Sequence, residues 1–364
     1  MPSKARYTRR RRGGSGARTN RASISRLSPS SESNEAAKAE KNGRAVAVKA
    51  DEAAGLALRE AAFARRAALK VIAIVEEIDR SDDSSTSSDD EDADKRQQRD
   101  EGKKFKRVVN SRYSTYSGEV KGRYNDAKHG FGQLKTGSST YQGEWKDNKE
   151  DGFGVFVVTP SVRHERTGYR YEGQFKAGKM TGHGVCVYSS GDIYRGHHLD
   201  DQFDGYGVYL HIQTTGGVSK CEFKGGVKDG FGTYDSDLLS HSGLFSNDSF
   251  VRGRGTIVLA TGSYTGDLKK FSTVAGTLKH GKGRFVYANG DVYEGQFKKD
   301  KKYGNGKLTM QNGTVQEGIW SGDRLTGEVT QVGHPTLHGE FVSGVPLTPF
   351  QADTYSGDDT DPDK

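Results

Sequence analysis

Proline and cysteine are scarce in this chain, with 7 Pro and 2 Cys among 364 residues. Cys186 and Cys221 cannot form the disulfide framework of a small secreted fold, so two reduced thiols in a reducing compartment are expected. Apolar residues are also few, at 32%, low for a globular enzyme of this length. No apolar run approaches the ~18 residues of a transmembrane helix. The basic N-terminal stretch lacks the apolar centre of a secretory signal. Catalytic signatures are missing too: there is no Gly-x-Ser-x-Gly, Cys-x-x-Cys or His-Glu-x-x-His. The run Gly276-Thr-Leu-Lys-His-Gly281-Lys282 follows a phosphate loop up to its Lys, but Gly283 stands where a Mg²⁺-ligating Ser or Thr belongs. His197-His198 has no Cys or acid pair at zinc-like spacing. The expectation is a chain without catalytic residues, cofactor or metal.

Glycine is abundant instead, and all but six of the 49 follow residue 111. There it belongs to a pattern, Tyr-x-Gly-x-(Trp/Phe), followed seven residues later by Gly-x-Gly. The clearest copies are Tyr141, Gly143, Trp145, Gly152 and Gly154; Tyr171, Gly173, Phe175, Gly182 and Gly184; and Tyr293, Gly295, Phe297, Gly304 and Gly306. Further copies start at Tyr116-Ser-Gly118 with Gly130-Phe-Gly132, and at Tyr194-Arg-Gly196 with Gly205-Tyr-Gly207. Alternation of Tyr, Gly and Trp with polar residues marks a strand with one buried face. A polar turn and a returning strand follow. Asn-Gly or Ser-Gly pairs at Ser190-Gly191, Asn289-Gly290 and Asn312-Gly313 supply the positive φ of tight turns. Each repeat therefore reads as one β-hairpin of about 23 residues, stable only when stacked on its neighbours.

These residues resemble the MORN repeat family, whose consensus is this Tyr-x-Gly-x-(Trp/Phe) … Gly-x-Gly pattern. The likeness spans about residues 113 to 345, in about ten units. It implies an all-β repeat fold, an elongated, single-layer antiparallel hairpin ribbon grooved along its length. It also implies a scaffold of cytoskeletal, ciliary or junctional assemblies, or an accessory module beside a lipid kinase or histone-lysine methyltransferase, with phosphoinositide binding often ascribed to the repeats. Departures mark individual units. Ser219 and Cys221 replace Tyr and Gly in the fifth, His241 replaces Tyr in the sixth, and the spacing slips between Tyr264 and Gly283. Units around Gln316–Trp320 and Leu337–Phe341 read as worn terminal copies, and Thr159–Tyr169 is an insertion and a candidate partner loop.

Three segments precede the array. Residues 1–44 read as a disordered basic arm, with no acid before Glu32; nuclear import, nucleic acid, anionic lipid and organelle targeting all stay open for it. Residues 45–80 read as an amphipathic helix with Val71, Ile74, Val75 and Ile78 on one face. It suits packing on the array, a short coiled coil or a membrane surface, of which a protein contact is preferred. Residues 81–111 read as an acidic Ser/Asp linker, and 346–364 as a disordered acidic tail.

The aromatics Tyr116, Tyr141, Trp145, Tyr171, Phe175, Tyr194, Tyr293, Phe297 and Trp320 read first as core, and second as the lining of a groove that accepts a helix, residues 50–78 of this chain or a partner's. Lys146, Lys176 and Lys298 form a rim suited to lipid headgroups. Glu144, Glu172 and Glu294, at one repeat position, read as a solvated face. The expected function is a non-enzymatic scaffold binding proteins, with homo-association through exposed end strands, at a cytoplasmic, cytoskeletal, ciliary or membrane-apposed site. A phosphoinositide-binding tether and a regulatory chain for a separate kinase or methyltransferase are the alternatives. Nothing outside the basic arm points to nucleic acid. Ser23 follows Arg18 and Arg21, and Thr86, Ser87 and Ser88 each precede an acid by three residues, so all four are candidate phosphosites. Alanine and aspartate substitutions at Ser87 and Ser88 are expected to alter partner binding or location; indifference to both would remove the proposed switch.

Overall fold

The computed structural model describes residues 29–81, 104–122, 127–160, 167–213, 215–270, 277–322, 324–331, 334, 336–342 and 345–346. The four candidate phosphosites and most of the candidate partner loop lie outside them, as do residues 1–28 and 347–364.

One helix, α1 (Pro29–Ser81), precedes a single antiparallel sheet in which each strand pairs with the next. Its strands are β1 (Lys104–Asn110), β2 (Ser114–Lys121), β3 (Lys128–Thr136), β4 (Ser139–Lys146), β5 (Lys149–Val158), β6 (Tyr169–Lys176), β7 (Lys179–Tyr188), β8 (Ile193–Leu199), β9 (Gln202–Leu210), β10 (Val218–Lys224) and β11 (Val227–Asp235). The rest are β12 (Leu239–Ser246), β13 (Ser249–Leu259), β14 (Gly262–Lys270), β15 (Thr277–Tyr287), β16 (Val292–Lys298), β17 (Lys301–Thr309), β18 (Val315–Ser321), β19 (Arg324–Thr330), β20 (Leu337–Val342) and β21 (Val345–Pro346). Ten hairpins thus follow β1, one for each sequence repeat. Of the Gly276–Lys282 run, residues Thr277 to Lys282 lie in β15, a strand rather than a phosphate loop. Among the described residues no helix is long and apolar enough to cross a membrane.

Two boundaries differ from the sequence reading. The helix begins at Pro29, so residues 29–44, assigned to a disordered arm, are helical. The stripe they bury is made of Ala36, Ala39 and Gly43, too small to register as apolar periodicity. Likewise, β1 occupies residues assigned to the linker, pairing with β2 from Lys104↔Lys121 to Asn110↔Thr115.

The structure divides into two compact units. The first holds α1 from Glu40, β1–β11 and Ser242–Ser249; the second holds the helix up to Ala39, Leu238–His241 and the chain from Phe250. Six of the hairpin turns are two-residue turns with positive φ at both positions, as at Asp147-Asn148, Asp200-Asp201, Asn247-Asp248 and Lys299-Asp300, the geometry that matches strand twist. The second turn residue also ties hairpin to hairpin. Asn148 Oδ1 accepts from Lys128 N (2.9 Å), Asp201 Oδ1 from Met180 N (2.9 Å), Asp248 Oδ1 from Lys228 N (2.9 Å) and Asp300 Oδ1 from Lys279 N (2.8 Å).

In the first unit α1 lies on one face of the sheet, and strand register shows which. Tyr141 pairs with Phe156 and Gly143 with Gly154, whereas Gln142 pairs with Val155; directly paired residues share a face. The helix packs on Val155 through Ala64 and Ala68, on Val185 through Ala57 and Ala61, and on Val208 through Ala50 and Ala54. It therefore covers the face opposite Tyr141 and Trp145. The expectation that residues 50–78 sit in the groove lined by those aromatics is corrected: the helix takes the other side, where the sheet offers Val and the middle residue of each Gly-x-Gly.

The register is seven helix residues per hairpin. Seven residues rise about 10.5 Å along a helix, and two strands span about 9.6 Å across a sheet, so the same heptad position meets the same repeat position each time. Lys70 lies over the Phe131 ring (4.7 Å), Phe63 against Phe153 (5.4 Å) and Lys49 over Tyr206 (5.1 Å). Polar anchors fix which heptad meets which hairpin. Arg65 donates to Glu172 (2.6 Å), His183 N to Glu60 (3.0 Å) and Lys220 to Asp51 (2.8 Å). Glu172 is thus buried beneath the helix rather than on the solvated face expected of it; Glu144 is half-buried and accepts from Phe153 N. Glu294 is exposed and pairs with Arg284 (2.9 Å).

Closest approach falls at Gly43, where a Cβ would stand 2.5 Å from the Gly232 carbonyl oxygen and 2.5 Å from Ser242 Oγ. Gly55 has open space on its side. Gly43→Val is expected to loosen the helix, seen as faster amide exchange over residues 40–60 and earlier proteolysis there. Gly55→Ala should leave docking intact and stabilise the helix by up to about 1 kcal/mol. Equal behaviour of the two variants would refute the close-packed register.

Candidate functional site

With one face of the first unit covered by α1, the uncovered face is that of the repeat aromatics. Each consensus Tyr lies across a pair of facing glycines. A Cβ on Gly154 would meet Tyr141 Oη at 2.4 Å, and one on Gly143 would meet Gly154 Cα at 2.5 Å, so the ring fills space that only glycine leaves. The hydroxyl then donates to the carbonyl three residues on: Tyr116 to Glu119, Tyr141 to Glu144, Tyr171 to Gln174 and Tyr194 to His197, at 2.6–3.1 Å. Ring edges interlock from hairpin to hairpin, each contact worth about 0.5–1.5 kcal/mol. The chain of contacts runs Tyr116–Trp145 (5.5 Å), Trp145–Tyr141 (5.1 Å), Tyr141–Phe175 (5.0 Å), Phe175–Tyr171 (5.2 Å), Tyr171–His198 (4.8 Å), His198–Tyr194 (5.1 Å) and Tyr194–Phe223 (5.2 Å). In the second unit Tyr264–Phe297 (5.0 Å), Phe297–Tyr293 (5.1 Å) and Tyr293–Trp320 (5.5 Å) repeat the pattern. Every aromatic predicted at the groove is buried. These rings and their glycines form the floor.

What a partner would meet lies above that floor. A second aromatic row, half-buried, runs Phe156, Tyr169, Tyr188 and Tyr209, with neighbouring centroids 6.0–6.4 Å apart. The residue after each turn folds over the floor and varies in chemistry. Lys128 lies over Trp145 (5.2 Å), and Phe203 stacks on Tyr194 (3.7 Å); Met180 is also buried at this position. In the second unit Lys302 lies over Trp320 (4.3 Å) and Lys279 over Phe285 (5.3 Å). Sequence reasoning missed Met180, Phe203, Lys128 and Lys302 because the consensus ignores a position that varies among copies. The signal of Met180, Phe203 and Lys302 is their place, third after the first turn residue. Of the predicted rim, Lys146 and Lys176 are exposed at strand ends, and Lys298 lies over Tyr303 (4.5 Å).

The departing units are packed, not open. Cys221 and Ser219 are both buried, the thiol facing the space a Gly232 side chain would need and Ser219 Oγ bonded to His211 Nε2 (2.9 Å). His241 stacks on Phe250 (4.1 Å). Burial pushes the Cys186 and Cys221 thiols up to about 12, so both stay protonated and unreactive near neutrality. Among the described residues no group of three His, Cys, Asp or Glu is placed to hold a metal.

His198 stands where other units have Trp or Phe. It is 1% exposed, and neither ring nitrogen completes a hydrogen bond. Burial lowers its pKa to about 3, an approach to the Gly196 backbone offsetting this only partly. Below pH ~6.5 the unfolded chain gains a proton that the folded chain refuses, so stability falls with pH until about 3. Each pH unit in that window costs up to about 1.4 kcal/mol. His198→Phe, which copies Phe175 and Phe223, should remove this contribution: wild type and variant should diverge in urea midpoint as pH falls from 6.5 to 4, and parallel curves would contradict the burial.

Comparison with known proteins follows the same hairpins. The profile described as MORN repeat matches residues 141–157, 171–193, 222–237, 276–292 and 293–315. Alsin of Rattus norvegicus and Alsin of Homo sapiens are each 29% identical over 150 residues, covering 39% of this chain. The match spans only 9% of Alsin's length. Such repeats serve in general for protein or membrane interaction, and the hairpins, tyrosines and glycine pairs are theirs. The chain belongs to the MORN-repeat family.

Proposed function

We propose that this protein is a non-enzymatic scaffold that binds protein partners on the aromatic face of its sheet. The observation that carries this reading is the division of labour between the two faces of the first unit. The helix covers one with its alanine stripe, while the other keeps a row of half-buried aromatic rings above a fully packed floor. Half-buried Tyr and Phe give a partner large apolar contact at small entropic cost and are enriched at interface centres. A cytoskeletal or membrane-apposed location accords with the family resemblance. Association of copies through the end strands belongs to the same proposal.

A phosphoinositide-binding tether is the second reading, favoured by cations held over repeat aromatics within each unit: Lys128 above Trp145 in the first, and Lys279 and Lys302 above Phe285 and Trp320 in the second. Such lysines are pre-positioned point charges for a phosphate.

Proximity labelling in the native cell, followed by direct binding of each candidate to the purified full chain, separates the readings. A protein partner should lose at least tenfold affinity to a Tyr169→Asp/Tyr188→Asp variant and none to Leu69→Asp on the outer side of the helix. Flotation with phosphoinositide vesicles that depends on Lys128 and Lys302, with no direct protein partner, would replace the scaffold by the tether. Partners equally sensitive to Leu69→Asp would place binding on the helix and overturn the assignment to this face.

A further inference from the structure

In the second unit, charge is sorted by edge. Consecutive strands are antiparallel, so the turns β14–β15, β16–β17, β18–β19 and β20–β21 share one edge of the sheet. The strand ends at these turns, with the turn residues, carry Lys269, Lys270, Lys298, Lys299, Lys301, Lys302 and Arg324. Among the described residues of this edge only Asp300 is acidic; Asp323 lies outside them. Asp300 is already engaged, by the backbone N–H of Lys279 (2.8 Å) and by its ammonium (3.4 Å). Lys270, Lys298, Lys299, Lys301 and Arg324 are exposed. Lys298 and Lys301 are paired directly across their hairpin, where like charges are destabilising. The opposite edge, with the turns at Asn289-Gly290 and Asn312-Gly313, has no Lys or Arg among its described residues. Equivalent turns of the first unit mix signs, as where Lys179 meets Asp200 (3.1 Å) and Lys121 meets Asp147 (3.8 Å). Repelling lysines gathered on one edge call for an anion that this sheet does not supply.

We propose that the acidic tail of this same chain, residues 353–363, lies along this basic edge and shields it from other polyanions. The inference goes beyond the scaffold reading and does not depend on it. Three observations select this occupant. The first is charge: Asp353, Asp358, Asp359, Asp361 and Asp363 are accompanied by no Lys or Arg before Lys364. The second is where the tail starts. The last described strand, Val345–Pro346, pairs with Val342 and Phe341 at this edge, so the chain leaves the sheet beside the lysines. The third is reach. Four strand spacings separate β21 from β17, about 19 Å, and residues 347–353 span up to about 23 Å. Tethering also gives the tail an effective concentration on the order of millimolar, which a separate partner lacks. A second copy would bring lysine to lysine. The Ser/Asp tract of residues 81–94 joins the end of α1 to β1, both in the first unit, and has no such start. Because Lys302 belongs to this edge, a docked tail raises the threshold at which an external phosphate surface is bound.

The test places a nitroxide in the tail of the full, isotope-labelled chain through Ser356→Cys. Cys186 and Cys221 are buried, with thiols pushed up to about 12, so the label goes to the tail alone. At about 0.01 M salt, where the Debye length is about 30 Å, the amide signals of Lys270, Lys298–Lys302 and Arg324 are expected to broaden. Those of Asn289 and Asn312, on the other edge, should stay sharp. In about 1 M salt, where the Debye length is about 3 Å, the broadened signals should return. Lys298→Glu/Lys301→Glu changes two exposed side chains and should abolish the broadening, with unchanged amide shifts in β4 and β6 showing that the chain remains folded. Inorganic polyphosphate should bind the edge at least about fivefold more tightly when the five tail aspartates are changed to Asn, since it no longer competes with a tethered anion. No broadening at the edge overturns the proposal, as does broadening equal on both edges or kept in Lys298→Glu/Lys301→Glu. Polyphosphate that shifts the edge amides with the same affinity in wild type and the Asn variant would assign the edge to an external anion and remove the tail from it.

Discussion

Everything in this molecule depends on a tyrosine ring lying flat across two backbones that carry no side chains. Tyr141 over Gly143 and Gly154 is the clearest instance, with the space a Cβ would need already taken by the ring and by the facing Cα. The ring gains burial and a hydrogen bond from its hydroxyl to the carbonyl of Glu144 (2.9 Å). Glycine in strands costs about 0.5–1 kcal/mol of backbone entropy each, so the arrangement is favourable only when the ring also meets its neighbours. It does so edge to face, through Trp145 within the hairpin and Phe175 of the next. That coupling makes a run of marginal hairpins into a stable array, and it spends the most invariant residues of the repeat on the fold.

The second constraint is commensurability. A helix advances by seven residues over about the distance that a sheet advances by one hairpin, so a helix crossing the strands can present alanine to each repeat in turn. Ala50, Ala57, Ala64 and Val71 are all fully buried on that line. Alanine stripes on repeating valines would by themselves fit in several registers, one hairpin apart. The charged pairs remove the ambiguity, since Arg65 with Glu172 and Asp51 with Lys220 occur once each. Covering one face of the first unit in this way leaves the aromatic face as its open surface, which is why the candidate site is there.

Hairpin count, hairpin boundaries and the roles of Tyr, Gly and Trp were legible in the sequence because each repeat states them again, and repetition averages out the ambiguity of any single copy. The helix start was not legible. Ala36, Ala39 and Gly43 bury almost no apolar mass, so the polar residues between them resemble a disordered arm. The acids at the repeat position of Glu144 and Glu294 suggested a solvated row, and Glu172 broke it only because Arg65 of a distant segment comes to rest beside it. Met180 and Phe203 escaped notice for the opposite reason: they sit where the repeat has no rule.

Sequence alone determined the all-β repeat architecture, the pairing of consecutive strands and the identity of the packed floor, since these follow from local alternation, turn residues and period. Tertiary structure decided which face the helix covers and which acids are buried. Alternation says that a strand has two faces but not which one a distant helix will choose. That choice rests on contacts between residues more than a hundred positions apart, Arg65 with Glu172 and Glu60 with His183 among them, which no local pattern encodes.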